Sequence, residues 1–233
     1  MKKMKAMVLT LCACIVMMGC NNLGKGTAIG AAGGALLGAI VGKVAGNTAV
    51  GAAVGTAVGA GAGALIGKHM DKVKAQAEAV QNAQVQSITD ANGLQAVQVT
   101  FDSGILFQTG KSDLSQAAKT SLAQFANNVL KVNTDCDVAV QGFTDNAGWK
   151  NSTAEQSAQK NLNLSQQRAQ AVTNYLLSQG VSASQIRSTT GFGESNPVAD
   201  NSTAAGKAQN RRVEVLLYAS QAMINAAEQG TLK

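Results

Sequence analysis

The chain has 233 residues and a formal net charge of +6, which is enough for one mid-sized domain with extensions. Aromatic residues make up only 3% of it, whereas glycine occurs 25 times and proline once. Lys2, Lys3 and Lys5 lie in a targeting segment and supply three of the positive charges. Because no basic stripe or set of stacking aromatics remains, nucleic-acid binding is excluded.

Residues 1–19 are predicted to be a lipoprotein signal peptide. The three lysines precede an apolar segment, Ala6 to Met18, that is too short to span a bilayer. The segment ends in Val16-Met-Met-Gly-Cys20, which resembles a bacterial lipobox. The resemblance implies that Cys20 becomes the acylated first residue, as with palmitate, and each buried methylene contributes ~0.8 kcal/mol to membrane anchoring. An ordinary signal peptide or a buried apolar helix is the alternative.

Residues 20–67 contain a glycine and alanine block with a period of four. Glycines recur from Gly26 to Gly46 and, after a break at Asn47-Thr48, from Gly51 to Gly67. Glycines at i and i+4 lie on one helix face and let two backbones approach closely. The block is predicted to form a helical hairpin and resembles the glycine-zipper domain of outer-membrane lipoproteins. A flexible linker is the alternative, and homo-oligomerisation through the glycine zipper is left open.

Residues 68–92 contain neither glycine nor proline and are rich in alanine, glutamine and lysine. Met70, Val73, Ala77 and Val80 recur at spacings of three and four, which predicts a helical linker that holds the next domain away from the membrane. His69, the one histidine of the chain, is interpreted as a solvated side chain.

A globular domain is predicted over residues 93–219, followed by a loose helical tail at 220–233. Alternating apolar residues indicate strands at 97–101, 136–141, 186–191 and 213–217. Helices are predicted between them, one capped by Ser112 or Asp113 and one ending at Gly180. The fold class is therefore α+β, with helices on one face of a mixed βαβαβ-type sheet.

Several kinds of chemistry are excluded by the motifs. The segment Gly104 to Ser112 ends like a phosphate-binding loop but has the wrong glycine spacing. One histidine and Cys136, the lone free cysteine of the mature chain, are too few for a zinc centre. Cys136 shares strand parity with Val138 and is predicted to be buried. We therefore expect no enzymatic activity, no metal and no cofactor.

Five motifs in order resemble the OmpA C-terminal-like family, the peptidoglycan-associated module of Gram-negative envelopes. The resemblance covers residues 94–218. The motifs are Gly142-Phe-Thr-Asp-Asn, Asn161-x-x-Leu-Ser-x-x-Arg-Ala169, Gly191-Phe-Gly-Glu-x-x-Pro197, Ala199-Asp-Asn201 and Asn210-Arg-Arg-Val-Glu214. The resemblance implies a ligand, the stem peptide of peptidoglycan, held at its diaminopimelate residue.

Position by position, the resemblance implies a set of ligand-binding residues. Asp145 would pair with an ammonium or amide group of diaminopimelate, and Arg168 would hold a carboxylate. Asn161 lies two helical turns before Arg168 and so shares its face, whereas Thr144 and Arg211 match positions near the site. A surface salt bridge between Arg168 and Asp145 is the structural alternative.

Three positions depart from the family pattern. Phe143 stands where the family often has histidine, and Gln108 where some members carry aspartate. The segment 149–160, with the single tryptophan of the chain, is longer than the family pattern and is expected to lie beside the pocket.

The sequence thus predicts an outer-membrane lipoprotein, its globular domain facing the periplasm, that tethers the membrane to the cell wall. The alternative is a membrane-assembly or pore-forming protein in which the glycine zipper acts and the wall-binding domain only localises it. A motor stator would need an acidic residue inside a membrane helix, and none occurs between Leu23 and Gly67.

Overall fold

The computed structural model describes residues 58–90 and 93–232. The predicted signal peptide, the lipid-attachment residue Cys20 and the glycine block as far as residue 57 lie outside the described residues. Among the described residues, no helix has the length and apolarity needed to cross a membrane.

Five strands and the helices between them make up the described part of the chain. The strands are β1 (Ala83–Thr89), β2 (Gln95–Asp102), β3 (Cys136–Phe143), β4 (Ile186–Gly191) and β5 (Arg212–Ala219). The helices are α1 (Ala60–Glu78), α2 (Ser103–Leu106), α3 (Gln116–Phe125, continued by a π-helical turn Ala126–Leu130), α4 (Ala154–Ser178), α5 (Ala204–Asn210) and α6 (Gln221–Glu228).

The strands form one mixed sheet in the order β1-β2-β5-β3-β4. β3 and β4 are parallel and are connected through α4, whereas the β1–β2, β2–β5 and β5–β3 pairs are antiparallel. The predicted α+β class with a mixed sheet is confirmed. The four predicted strands correspond to β2 to β5, and β1 adds an edge strand that was not predicted.

The core lies between the helices and one face of the sheet. Val99 of β2, Val140 of β3 and Val215 of β5 share strand parity and are fully buried in one apolar cluster with residues of the helices. The opposite face carries Gln98, Gln141 and Glu214 together with a small apolar cluster. The helices therefore cover one face, as the sequence predicted.

The predicted helical linker at 68–92 is wrong in two respects. The boundary at 67 falls inside α1, whose residues Ile66, Met70 and Val73 are completely buried in the core. Residues 83–89 form β1 instead of continuing the helix. The apolar stripe of α1 was recognised from its spacing, but it packs on the sheet of its own domain, so the domain begins before residue 93.

The predicted loose tail at 220–233 is also corrected by the structure. Residues 221–228 form α6, which begins at the cap residue Ser220 and buries Met223, Ile224 and Ala227. α6 packs against α1. The first and last helices of the described residues therefore pack together over the same part of the core.

Two predicted helix boundaries can be compared with the structure. α3 is capped by Ser115, whose hydroxyl accepts a hydrogen bond from the amide of Ala118, rather than by Ser112 or Asp113. α4 ends just before Gly180, which has a φ of +86°, as expected of a glycine that terminates a helix.

Candidate functional site

A cleft of about 600 Å³ opens beside the end of β3 and the adjoining face of α4. All five residues predicted to bind the ligand line it: Thr144, Asp145, Asn161, Arg168 and Arg211. The structure therefore brings the predicted set together, although Asp145 and Arg211 are 66 residues apart in the sequence. Whether each of them contacts a ligand stays a prediction.

Two glycines let α4 approach the sheet closely enough to form the cleft. Gly142 of β3 and Gly191 of β4 are partners in the parallel pair. A Cβ at Gly142 would lie 2.2 Å from the backbone oxygen of Ser165, and one at Gly191 would lie 2.2 Å from the backbone nitrogen of Gln166. Any larger residue would push the helix away from the strands and displace Arg168 from the cleft.

Asp145 forms an ion pair with Arg211. Arg211 Nη1 donates to Asp145 Oδ2 over 2.6 Å, and the other carboxylate oxygen accepts from the amide of Ala147 over 3.1 Å. The Asp145 side chain is 10% exposed and that of Arg211 is 40% exposed. The alternative of a salt bridge between Asp145 and Arg168 is therefore wrong, because Arg211 takes that place.

Arg168 is a buried cation for which the described residues provide one hydrogen bond and one aromatic contact. It is 3% exposed, its Nε donates to the backbone oxygen of Lys111 over 3.0 Å, and its guanidinium carbon lies 5.1 Å from the centre of the Phe107 ring. Among residues 58–90 and 93–232, no carboxylate lies within ion-pair distance of it. Burial, and then the charge of Arg211, lower the pKa of Arg168, whereas Asp145 raises it.

Asn161 binds the loop that follows β3. Its Nδ2 lies 3.2 Å from the backbone oxygen of Ala147 and 3.0 Å from Glu194 Oε2, and its Oδ1 accepts from Trp149 Nε1 over 2.8 Å. The side chain is 4% exposed. Its hydrogen-bonding groups are thus occupied by protein partners, which makes it a residue that positions the loop.

Thr144 joins the end of β3 to the segment after β4. Its backbone amide donates to the oxygen of Gly193 over 2.8 Å. Its Oγ1 is buried and has no hydrogen-bond partner among the described residues. A hydroxyl can both donate and accept a hydrogen bond, so a ligand group could bond to it only after a rearrangement that exposes this atom.

The segment that departs from the family pattern forms the loop before α4 and the first turns of that helix. Thr153 and Gln156 form a reciprocal cap, in which Thr153 Oγ1 accepts from the amide of Gln156 and Gln156 Oε1 accepts from the amide of Thr153. Trp149 lies in this loop and lines the cleft, as expected of a segment beside the pocket.

Sequence reasoning missed other residues that line the cleft, among them Phe107, Leu164 and Lys207. Leu164 lies between Asn161 and Arg168 on the same helix face, so the helical period could have indicated it. No local pattern indicated Phe107 or Lys207, since their place depends on how distant segments pack.

A second polar cluster lies away from the cleft, where α1 meets β3. Side-chain ligand atoms of His69, Asp135 and Cys136 all lie within 4.8 Å of one another. Cys136 is fully buried, as predicted, and burial raises the pKa of its thiol, with Asp135 and Asp137 contributing. The prediction that His69 is a solvated side chain is wrong, because it is 13% exposed and lies 3.5 Å from Asp135 Oδ1.

Family models match both parts of the chain. Residues 106–211 match the OmpA family, and residues 1–71 match the YMGG-like Gly-zipper. The first match coincides with the described cleft, and the second lies mostly outside the described residues.

Two curated relatives illustrate the similarity. The chain is 37% identical over 152 residues to the probable lipoprotein YiaD of Escherichia coli, which covers 65% of this chain and 64% of YiaD. It is 42% identical over 88 residues to the peptidoglycan-binding protein ArfA of Mycobacterium tuberculosis, covering 38% of this chain and 24% of ArfA. The matches thus span less than two thirds of each relative.

Solved structures share the fold. A MotB-like protein from Desulfovibrio vulgaris superposes with a TM-score of 0.53 at 23% identity, covering 68% of this chain and 92% of that one. The cell wall anchor of the T6SS from Pseudomonas aeruginosa superposes with a TM-score of 0.51 at 27% identity, covering 65% and 97%.

Proposed function

We propose that the chain, whose residues 106–211 match the OmpA family, binds peptidoglycan non-covalently through the cleft beside β3. The ligand is the stem peptide, held at its diaminopimelate residue. The role is binding without catalysis, in keeping with the peptidoglycan-binding relative and with the likeness to a cell wall anchor.

The observation that carries this proposal is the buried guanidinium of Arg168. A buried charge without a counter-ion is strongly unfavourable, so such a group is retained where an anion comes to meet it. Its Nε is committed to the backbone of Lys111, and Arg168 lines the cleft, so the two outer nitrogens remain as a planar fork for a ligand. A carboxylate fits this fork with two parallel hydrogen bonds.

The charges around the cleft favour a ligand that carries both a carboxylate and an ammonium group. Arg168, Arg211 and Lys207 supply positive charge, and Asp145 supplies negative charge. An ionised carboxylate has about four acceptor sites, so Asp145 can keep its bonds to Arg211 and Ala147 and still accept from an ammonium group. Free diaminopimelate carries both groups at each end of the molecule, and in a stem peptide the far end of its side chain keeps both.

The affinity of a single site is expected to be modest. Two charge-assisted hydrogen-bonded pairs contribute about 1.5–3 kcal/mol each before the entropy of binding is subtracted. Many copies of the protein acting on one polymer would hold it by avidity. Such weak, multiple contacts suit a protein that tethers a membrane to the wall.

The experiment is co-sedimentation of the full chain with insoluble peptidoglycan. Arg168→Ala and Asp145→Ala should abolish sedimentation, and free diaminopimelate should compete with the wild type. Arg187→Ala is the matched control, because Arg187 pairs with Asp137 on an exposed part of the sheet and does not line the cleft. Unchanged sedimentation of both cleft variants with intact folding would contradict the assignment.

The proposal extends to the outer membrane through Cys20, the predicted site of lipid attachment. The relative YiaD carries the name of a lipoprotein, which supports an envelope location for this chain. Mass spectrometry of the membrane-extracted protein should find acyl chains on Cys20, and Cys20→Ser should release the protein into the soluble periplasmic fraction.

The alternative, in which the glycine zipper acts in membrane assembly or pore formation, is favoured by the match to the YMGG-like Gly-zipper over residues 1–71. In that case the cleft only localises the protein. Detergent-resistant oligomers that disappear in Gly38→Leu, with wall binding retained, would support it.

A further inference from the structure

Trp149 lines the cleft and is not used by the two charged contacts. It is the only tryptophan among the 233 residues, it is half-buried, and it lines the cleft with Asn161, Leu164 and Arg168. A large ring that remains partly accessible beside a binding site offers an apolar surface to a ligand.

The structure fixes the orientation of this ring before any ligand arrives. Trp149 Nε1 donates to Asn161 Oδ1 over 2.8 Å, and the backbone amide of Trp149 donates to Ser157 Oγ over 3.0 Å. Both acceptors belong to α4, whose N-terminus is capped by Thr153. A side chain that is already ordered loses little entropy on binding, so its contact area contributes more to affinity.

The indole, which is hydrogen-bonded to α4, also approaches the segment around Gly110, which lines the cleft. The outer edge of its six-membered ring, Cη2, lies 4.0 Å from the position that a Cβ would take at Gly110. The neighbouring residue Lys111 accepts the hydrogen bond from Arg168. The same short segment thus borders both the indole and the guanidinium.

Both groups are related to positions on α4. Trp149 is tied to Asn161, and Arg168 follows Asn161 by seven residues, which corresponds to about 10 Å along a helix axis. Leu164 lies between them and lines the cleft. The cleft therefore offers a ligand the charged group of Arg168, the apolar side chain of Leu164 and the indole of Trp149.

We propose that Trp149 forms a second subsite, whose indole face packs against the C–H-rich surface of the ligand unit that adjoins the diamino acid. This inference rests on the proposed function and deepens it, because it makes the ligand longer than one amino acid. This unit is either the residue next to the diamino acid in the stem peptide or, beyond the intervening residues, the sugar to which the peptide is attached. Both present C–H groups, and the experiment distinguishes them.

The experiment compares three ligands on the full chain: free diaminopimelate, a stem tripeptide that contains it, and the same peptide joined to its disaccharide. Because Trp149 is the only fluorophore of its kind, its emission reports the subsite directly. We expect the longer ligands to shift the emission and to bind more tightly than free diaminopimelate. The ligand at which the shift first occurs identifies the adjoining unit.

Calorimetry on variants gives the second readout. Trp149→Ala should weaken binding of the longer ligand by about tenfold, the usual effect of removing a buried aromatic anchor, and should weaken free diaminopimelate by much less. Trp149→Phe keeps a flat ring but lacks the N–H donor, so it should retain most of the affinity if the ring face is what binds. Equal losses for all ligands, or a loss in Trp149→Phe as large as in Trp149→Ala, would overturn the subsite.

The outcome for Arg168→Ala separates this inference from the proposed function. If Arg168→Ala abolishes binding of all three ligands and Trp149→Ala changes none, the second subsite is refuted and the charged site stands. If the wild type binds none of the three ligands, the proposed function fails, and the subsite fails with it.

Discussion

Arg211 Nη1 and Asp145 Oδ2 lie 2.6 Å apart and join the residue before β5 to the loop after β3 across 66 positions of the chain. The pair closes one side of the cleft, and the backbone amide of Ala147 holds the second oxygen of the same carboxylate. Asp145 is therefore already oriented before a ligand binds.

A double-mutant cycle should measure this coupling. Asp145→Asn and Arg211→Gln are each expected to lower the free energy of unfolding, and the double variant should lose less than the sum. Because Arg211 is 40% exposed, solvent screening limits the coupling to about 1 kcal/mol. Urea denaturation of the four proteins gives the value, and strictly additive losses would show that the pair does not stabilise the fold.

The close packing of α4 on the sheet predicts opposite effects for two glycine substitutions. Gly142→Ala should destabilise the protein by about 1–3 kcal/mol, because the new Cβ meets backbone atoms of Ser165 that cannot rotate away. Gly63→Ala in α1 meets no atom within 4 Å and should stabilise it by up to about 1 kcal/mol, since alanine favours helix. Thermal unfolding compares the two, and a tolerated Gly142→Ala would contradict the close approach described for α4.

The position of α1 in the core predicts how the chain tolerates truncation. Residues 58–233 should unfold cooperatively, whereas residues 91–233 should not fold, because they lack α1 and β1 and expose the residues that these cover. Circular dichroism and proteolysis would test both fragments. A stable fragment 91–233 would show that α1 is dispensable.

A point substitution tests the same packing without removing an element. Met70 is fully buried, so Met70→Ala should cost about 2–5 kcal/mol. Lys72→Ala, at an exposed position of the same helix, should change the free energy of unfolding by less than about 0.5 kcal/mol. Equal effects of the two would mean that α1 does not pack as described.

Stability should decline at alkaline pH. Burial, with contributions from Asp135 and Asp137, raises the pKa of the Cys136 thiol, and burial together with Asp137 raises the pKa of the Tyr218 phenol. The native state therefore keeps protons that the unfolded chain releases above about pH 8.5 for the thiol and pH 10 for the phenol. Since the native state then binds more protons, the free energy of unfolding falls as pH rises, by about 1.4 kcal/mol per pH unit for each group that titrates only in the unfolded chain.

Urea midpoints under reducing conditions between pH 7.5 and 10.5 would measure this decline. Cys136→Ala should remove the part that begins near the ordinary pKa of a thiol, and Tyr218→Phe the part that begins near that of a phenol. A decline of the same slope in Cys136→Ala would assign the effect to other groups.

The sequence predicted those features that local patterns determine. Alternating apolar residues located β2 to β5, and Gly180 marked the end of α4 because a left-handed residue there favours glycine. The helical period placed Asn161 and Arg168 on one face. The family resemblance added Asp145, Thr144 and Arg211, which no local period connects to that face.

Features that depend on distant packing could not be predicted. The spacing of Met70 and Val73 indicates an apolar stripe but does not say what the stripe packs against, and a linker and a core helix look alike in that respect. β1 is a polar edge strand in which apolar and polar residues alternate only weakly. It pairs with β2 because the chain turns back along the sheet after α1. The pairing of Asp145 with Arg211 instead of Arg168 is decided by three-dimensional distances alone.

The packing of α1 determines how a mechanical load would travel through the protein. A pull applied at residue 58 acts first on the contacts of Ile66 and Met70 with the core and next on β1, which lies at the edge of the sheet. The cleft is built on β3, α4 and the start of β5, and these strands lie three and two positions from that edge. Since the rest of the domain is not expected to fold without α1 and β1, a load large enough to detach them would also disassemble the cleft.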